Sequence, residues 1–151
     1  MNKQFEILQQ SRKLILKSIE NLTIEQLNKI PEGFNNNIVW NVAHLVVTQQ
    51  LLCYKLSELE CLISNNMIER FQKGTFPKDP ILEDEFLEIK KLFLELPKRL
   101  EEDYKKQMFK KYFPYKTSVN ITLNSIEDGI AFNAYHEGIH LGIILQLLKF
   151  I

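Results

Sequence analysis

At 151 residues, with 45% apolar and 25% charged side chains, the chain has the size and make-up of one domain with a buried core. Lys plus Arg and Asp plus Glu number 19 each, without the basic excess of a nucleic-acid surface, so no nucleic-acid partner is expected. No stretch reaches the ~18 uninterrupted apolar residues of a membrane span, the start at Met1 to Glu6 is polar, and Cys53 and Cys61 lack zinc-finger spacing, which predicts a cytoplasmic protein with reduced thiols and no membrane partner.

Residues 2–20 put Phe5, Leu8, Arg12, Ile15 and Ile19 on one stripe and predict an amphipathic first helix. Thr23, with Gln26 three residues on, has capping-box spacing for a short helix that Pro31-Glu-Gly33 closes. Asn36 or Asn37 is placed to cap a helix over 38–59, so apolar that it must be buried on most sides. Residues 60–81, punctuated by Gly74-Thr-Phe-Pro77 and Asp79-Pro80, predict a long connection with one helical turn around Ile63 to Phe71; connections of this length often lie over a functional opening. A third long helix begins near Ile81 or Leu82, and Pro97 within it predicts a kink or break.

Residues 109–123 alternate like a strand but are too few for a sheet, and read as an extended connector. Thr122 or Asn124 caps the last helix, which runs to near Lys149 with Ile126, Ile130, Asn133, Tyr135, Ile139, Ile143, Ile144, Leu147 and Leu148 inside. Gly138 and Gly142, four apart, suit close helix packing. Four long helices with two long connections predict an all-α protein, a helix bundle in one domain over 1–151.

The chemistry lies in the histidines, of which there are three. His136 and His140 are four apart, so on a helix of about 3.6 residues per turn both rings leave one face. His44 lies on the face of the second long helix that carries Trp40, Asn41, Val47, Thr48 and Leu51. Three neutral imidazoles can hold Zn²⁺, Ni²⁺ or a similar divalent ion and leave positions open for water or substrate. Taken one at a time, a histidine is more often a satisfied core or surface residue than a ligand.

His136-Glu137-x-x-His140 also spells the zincin pattern, with Glu137 as candidate general base of a metal-dependent hydrolase. That reading lacks a further ligand, since none of the 11 residues after His140 is His, Asp or Glu. Glu137 can instead be a carboxylate that orients a site histidine, or one paired at the surface. Asn41 and Asn133 each precede a site histidine by three residues and can orient a water or substrate group, or simply bond a neighbouring helix. Trp40 is expected in the core or the pocket wall.

Thr23-Ile-Glu-Gln-Leu before a Pro-Gly break, Ile38-Val-Trp-Asn-Val-Ala-His44-Leu, Phe71-Gln-Lys-Gly-Thr-Phe-Pro77 and His136-Glu-Gly-Ile-His140-Leu-Gly, in this order and spacing, resemble the DinB/YfiT-like superfamily, of the DinB-2 type. The resemblance implies a four-helix bundle with up-down-down-up connectivity and a metal site at His44, His136 and His140. It further implies a metal-dependent transferase joining a low-molecular-weight thiol, of the bacillithiol or mycothiol kind, to an electrophilic small molecule; one relative is a maleylpyruvate isomerase. Relatives often dimerise, so a homodimer is expected. The alternative is a non-catalytic metal- or ligand-binding bundle related to stress. Gly142-Ile-Ile departs from the Gly-Gln or Gly-His of many members, which weakens the carry-over of polar residues beyond the histidines.

Overall fold

The computed structural model describes residues 1–151 and is mostly helical. Its helices are α1 (Asn2–Ser18), α2 (Ile24–Asn28), α3 (Ile38–Gln49), α4 (Asn65–Phe71), α5 (Glu83–Lys105) and α6 (Ile126–Leu147). Two short strands, β1 (Tyr115–Lys116) and β2 (Thr122–Leu123), pair antiparallel before α6. The four long helices close on one another: α1 packs on α5 and α6, and α3 packs on the same two.

The local signals act largely where the sequence places them. Thr23 and Gln26 form the reciprocal capping box of α2. Asn37 caps α3, its Oδ1 accepting from Trp40 N at 2.8 Å. α6 is capped by Ser125, one residue after Asn124 and three after Thr122: Ser125 Oγ accepts from Asp128 N at 3.2 Å, and Asp128 Oδ2 accepts from Asn124 N at 2.8 Å. Thr122 is unavailable as a cap because it belongs to β2, and the connector expected to stay unpaired is the hairpin β1–β2.

Three expectations are corrected by packing. The second long helix is not α-helical to residue 59; after Gln49 it widens into a π turn over Gln50–Tyr54 and ends in a 3₁₀ turn over Lys55–Ser57. Such turns re-aim the side chains that follow, often at functional sites.

Pro97 neither breaks nor ends α5, which runs continuously from Glu83 to Lys105. A proline removes the bond to the carbonyl four residues back, here Phe93 O. That carbonyl accepts instead from Arg12 Nη1 of α1 at 3.0 Å.

The third correction concerns the glycines. A methyl group at Gly138 or Gly142 would meet nothing within 4 Å, so neither serves packing within the chain, and Tyr135 and Ile139 beside them face outward. The close approach is at Gly129, where a Cβ would lie 2.6 Å from the Tyr112 hydroxyl and 3.2 Å from Leu52 O. Gly129→Ala is expected to destabilise the protein by about 1–3 kcal/mol through overpacking. Gly142→Ala is expected to be neutral or to stabilise by up to about 1 kcal/mol through helix propensity. Urea unfolding of the two variants checks the contrast.

The apolar interior falls into two clusters. One gathers Ile15, Ile19, Val46, Phe93, Ile144 and Leu147; the other gathers Phe5, Leu8, Leu52, Leu100, Ile126 and Ile130. Between the two sets lie residues that are polar yet buried: Arg12 on α1, Gln49 and Gln50 where α3 meets the π turn, and Asn133 and Glu137 on α6. The histidines lie at this level, where α3 meets α6.

Candidate metal centre

α3 contributes His44 and α6 contributes His136 and His140, and one ring nitrogen from each falls within 4.8 Å of the others. His44 Nε2 and His136 Nε2 stand 3.4 Å apart. Two nitrogens bound tetrahedrally at the usual 2.0–2.1 Å from one zinc ion lie about 3.3 Å apart, so this spacing fits a shared ion.

The far sides of two rings fix which nitrogens are free. His44 Nδ1 lies 2.6 Å from Phe71 O, the carbonyl at the end of α4, and His140 Nδ1 lies 2.7 Å from Asn41 Oδ1. A carbonyl oxygen only accepts, so each Nδ1 carries the proton and each Nε2 presents a lone pair inward. Thr48 Oγ1, one turn beyond His44, lies 3.2 Å from His44 Nε2. His136 Nδ1 is buried and meets no protein partner. Trp40 stacks on His44, ring centres 4.5 Å apart and planes 10° from parallel, fixing the ring's tilt.

Asn41 is thereby bonded across to the neighbouring helix rather than to the histidine that follows it on its own. Its Nδ2 donates to Asn37 O at 2.7 Å and to Asn36 Oδ1 at 3.1 Å, which turns the amide oxygen toward His140. The other asparagine is differently placed: Asn133 is fully buried one turn before Glu137, and neither of its side-chain polar atoms reaches hydrogen-bond geometry.

Burial lowers the pKa of all three imidazoles, His136 to about 4 and His140 to about 3; neighbouring rings add to the shift of those two, while the bond to Phe71 O opposes it at His44. The site therefore stays neutral at pH 7, the state that ligates a metal. In metal-free protein the unfolded chain takes up protons below its ordinary histidine pKa of about 6.5, while the folded chain does so only near the lowered values. Stability from this source is full above pH ~6.5 and falls as the pH drops, by at most about 1.4 kcal/mol per histidine per unit. Urea unfolding of chelated protein at pH 7, 6 and 5 checks the slope, which His136→Gln should flatten.

Glu137, the candidate general base, is paired with Arg12 rather than with a histidine. It is 1% exposed, and its carboxylate accepts from Arg12 Nη2 at 2.7 Å and Arg12 Nε at 3.0 Å. Burial pushes its pKa up and the Arg12 guanidinium opposes the shift. It makes no hydrogen bond to any histidine, and both its oxygens accept from Arg12. Arg12 also donates to Leu45 O at 3.1 Å and so touches all three other long helices. An arginine on the apolar stripe of the first helix and a glutamate in an apolar last helix were the sequence signals for this pair.

Burial pushes the Cys53 thiol up to about 12 and raises Cys61 as well. A cavity of about 300 Å³ opens on His44 and His136, walled on one side by the π turn and on the other by the hairpin connection. The carbonyl of Phe71 and the cavity-lining Lys55, Lys73 and Ser118 were not legible as site groups, because backbone atoms and surface lysines carry no distinguishing pattern.

A helical protein with three convergent, neutral imidazoles, two buried and one half-buried, beside a cavity defines a class with a candidate divalent-metal site. The chain belongs to the DinB superfamily, whose sequence model matches residues 7–144. No curated protein matches the chain.

Proposed function

We propose that the protein is a metal-dependent transferase that joins a low-molecular-weight thiol to an electrophilic small molecule. The observation that carries this reading is the convergence of three imidazole nitrogens, two already oriented by Phe71 O and Asn41, at the end of a cavity. His44, His136 and His140 would hold a divalent ion such as Zn²⁺ or Ni²⁺. When bound, the ion supplies the positive charge that favours thiolate over thiol. Trp40 and the Asn41 amide keep two of the ligands rigid. The apolar wall of the cavity, including Leu51 and Phe132, excludes water from the reacting sulfur. The sulfur electron pair forms the new S–C bond, the leaving group departs with its own pair, and the thiol proton passes to solvent. Glu137, held by Arg12, takes no part.

The reading places the protein in the cytoplasm, where Cys53 and Cys61, both free thiols, stay reduced. No helix is long and apolar enough to cross a membrane. It also takes the four long helices as an up-down-down-up bundle. Gln49 bonds Leu96 O and Tyr54 bonds Asp103, so α3 and α5 advance together. Gln9 bonds Glu101 while Arg12 bonds Phe93 O, which sets α1 against α5. A homodimer through the outer face of α6 is supported by its exposed Tyr135, Ile139 and Leu145, 52%, 42% and 43% accessible. Light scattering should report a dimer that Ile139→Glu dissociates.

Elemental analysis of protein purified without a histidine tag, followed by conjugation of small thiols to a model electrophile with and without chelator, tests the function. Metal at one equivalent with chelator-sensitive turnover is expected. Metal binding without turnover across several thiols would instead leave a binding protein, and no metal at all would end the reading.

A further inference from the structure

The cavity beside the histidines has a charge bias that the chain as a whole lacks. Lys plus Arg equals Asp plus Glu over the sequence, 19 each, yet the cavity is lined by two lysines and no carboxylate. Lys55 comes from the 3₁₀ turn that ends the second long helix, and Lys73 from the turn after α4. Neither forms an ion pair with any acidic side chain, whereas Lys3, Lys105 and Lys111 each do. An unpaired ammonium on the rim of a surface is ordinary. Two of them, from separate elements, lining one cavity that has no carboxylate in its wall, create a site of positive potential that selects for an anion.

The rest of the lining says what the anion is attached to. Leu51, Leu52, Leu56 and Phe132 give the cavity an apolar body, and the Ser118 hydroxyl, which bonds no other group in the chain, adds a donor at the hairpin. The volume, about 300 Å³, lies at the small end of ligand pockets. Lysines are compact point charges rather than planar forks, so they suit a carboxylate or a phosphate without demanding one geometry. His44 and His136 sit in the same lining.

We propose that this cavity takes a small organic anion, with its apolar body against Leu51, Leu56 and Phe132 and its charge neutralised by Lys55 and Lys73. The inference deepens the transferase reading and rests on it for one point only, that the ligand in the cavity is a reactant. The anionic group is then the handle by which the substrate is recognised, and the opposite end is presented to the histidines.

The test uses the full chain, stripped with chelator so that the lysines are read apart from any metal. The probes are 4-phenylbutyrate, its neutral amide 4-phenylbutyramide, and phenyl phosphate, titrated by calorimetry at low and at 0.5 M salt. At least one anion should bind about tenfold or more tighter than the amide. That preference should shrink at high salt and vanish in Lys55→Gln/Lys73→Gln, whose metal uptake should match the wild type. Which anion binds best decides between carboxylate and phosphate. Equal binding of anions and amide, no binding of either anion at millimolar concentration, or a preference that survives the double substitution would each overturn the proposal. The transferase reading fails separately: anion selectivity in a protein that takes up no metal would keep the pocket and remove the enzyme.

Discussion

Arg12→Met is expected to cost about 3–5 kcal/mol of folding stability, the largest effect of any single substitution considered for this chain. For a domain of this size that corresponds to a fall in Tm of roughly 10 °C or more. Two groups lose their partner at once. Glu137 is left as an uncompensated charge in a site that is 1% exposed, and the Phe93 carbonyl, which Pro97 already deprives of its helical donor, is left without Arg12 Nη1. Replacing both ions, as Arg12→Met/Glu137→Met, should recover part of the loss, because a buried pair is often no better than well-packed apolar side chains.

The carbonyl supplies a sharper check. Adding Pro97→Ala to Arg12→Met restores an N–H to α5 that can bond Phe93 O. Pro97→Ala should therefore be more favourable in the Arg12→Met background than in the wild type, by about 0.5–1.5 kcal/mol. A double-mutant cycle by urea denaturation measures that difference. Simple additivity would mean that Arg12 does not stand in for the donor that Pro97 lacks.

The second large effect concerns the metal. His140→Ala is expected to reduce divalent-metal affinity by more than a hundredfold, because it removes a ligand outright. Asn41→Leu should cost less, about 10–100-fold, by freeing the His140 ring rather than deleting it. Asn41 Oδ1 accepts from His140 Nδ1 at 2.7 Å and is itself held by two donations from Asn41 Nδ2, so its loss unlocks both the tautomer and the tilt of the ring. Competition against a chromophoric chelator ranks the variants. Equal affinities for wild type, Asn41→Leu and His140→Ala would show that these histidines serve the core and not a metal. Because Asn41→Leu also removes a buried amide from the start of α3, unfolding should be measured alongside, and the affinity change compared at equal fraction folded.

Both predictions turn on residues whose types were visible in the sequence and whose partners were not. The i, i+4 repeat of His136 and His140 and the placement of His44 on an apolar helix are local facts, since helical periodicity alone decides which face a side chain leaves. The capping of α2 by Thr23 and Gln26 and of α3 by Asn37 is local for the same reason: the bonds span three residues. The all-α class follows from those patterns too.

What the tertiary structure alone decided are the bonds made across helices, and these reassign several residues. Glu137, the second letter of a hydrolase pattern, is claimed by Arg12 from 125 positions away. Pro97 stays inside a helix because a guanidinium from α1 meets the carbonyl it frees. Asn41, read beside His44, orients His140. Gly138 and Gly142 are open to solvent while Gly129 carries the close approach. No spacing rule reports these, since burial and long-range pairing depend on which helix faces pack together.

The sequence alone therefore determined three histidines on the inward faces of two helices, within a chain of all-α character. Only the packing of α3, α4 and α6 decided that one nitrogen of each converges, with Phe71 O and Asn41 holding the protons on the far sides. The physical reason is that a ring's direction is set by its second hydrogen bond, and that partner lies on another element of the fold.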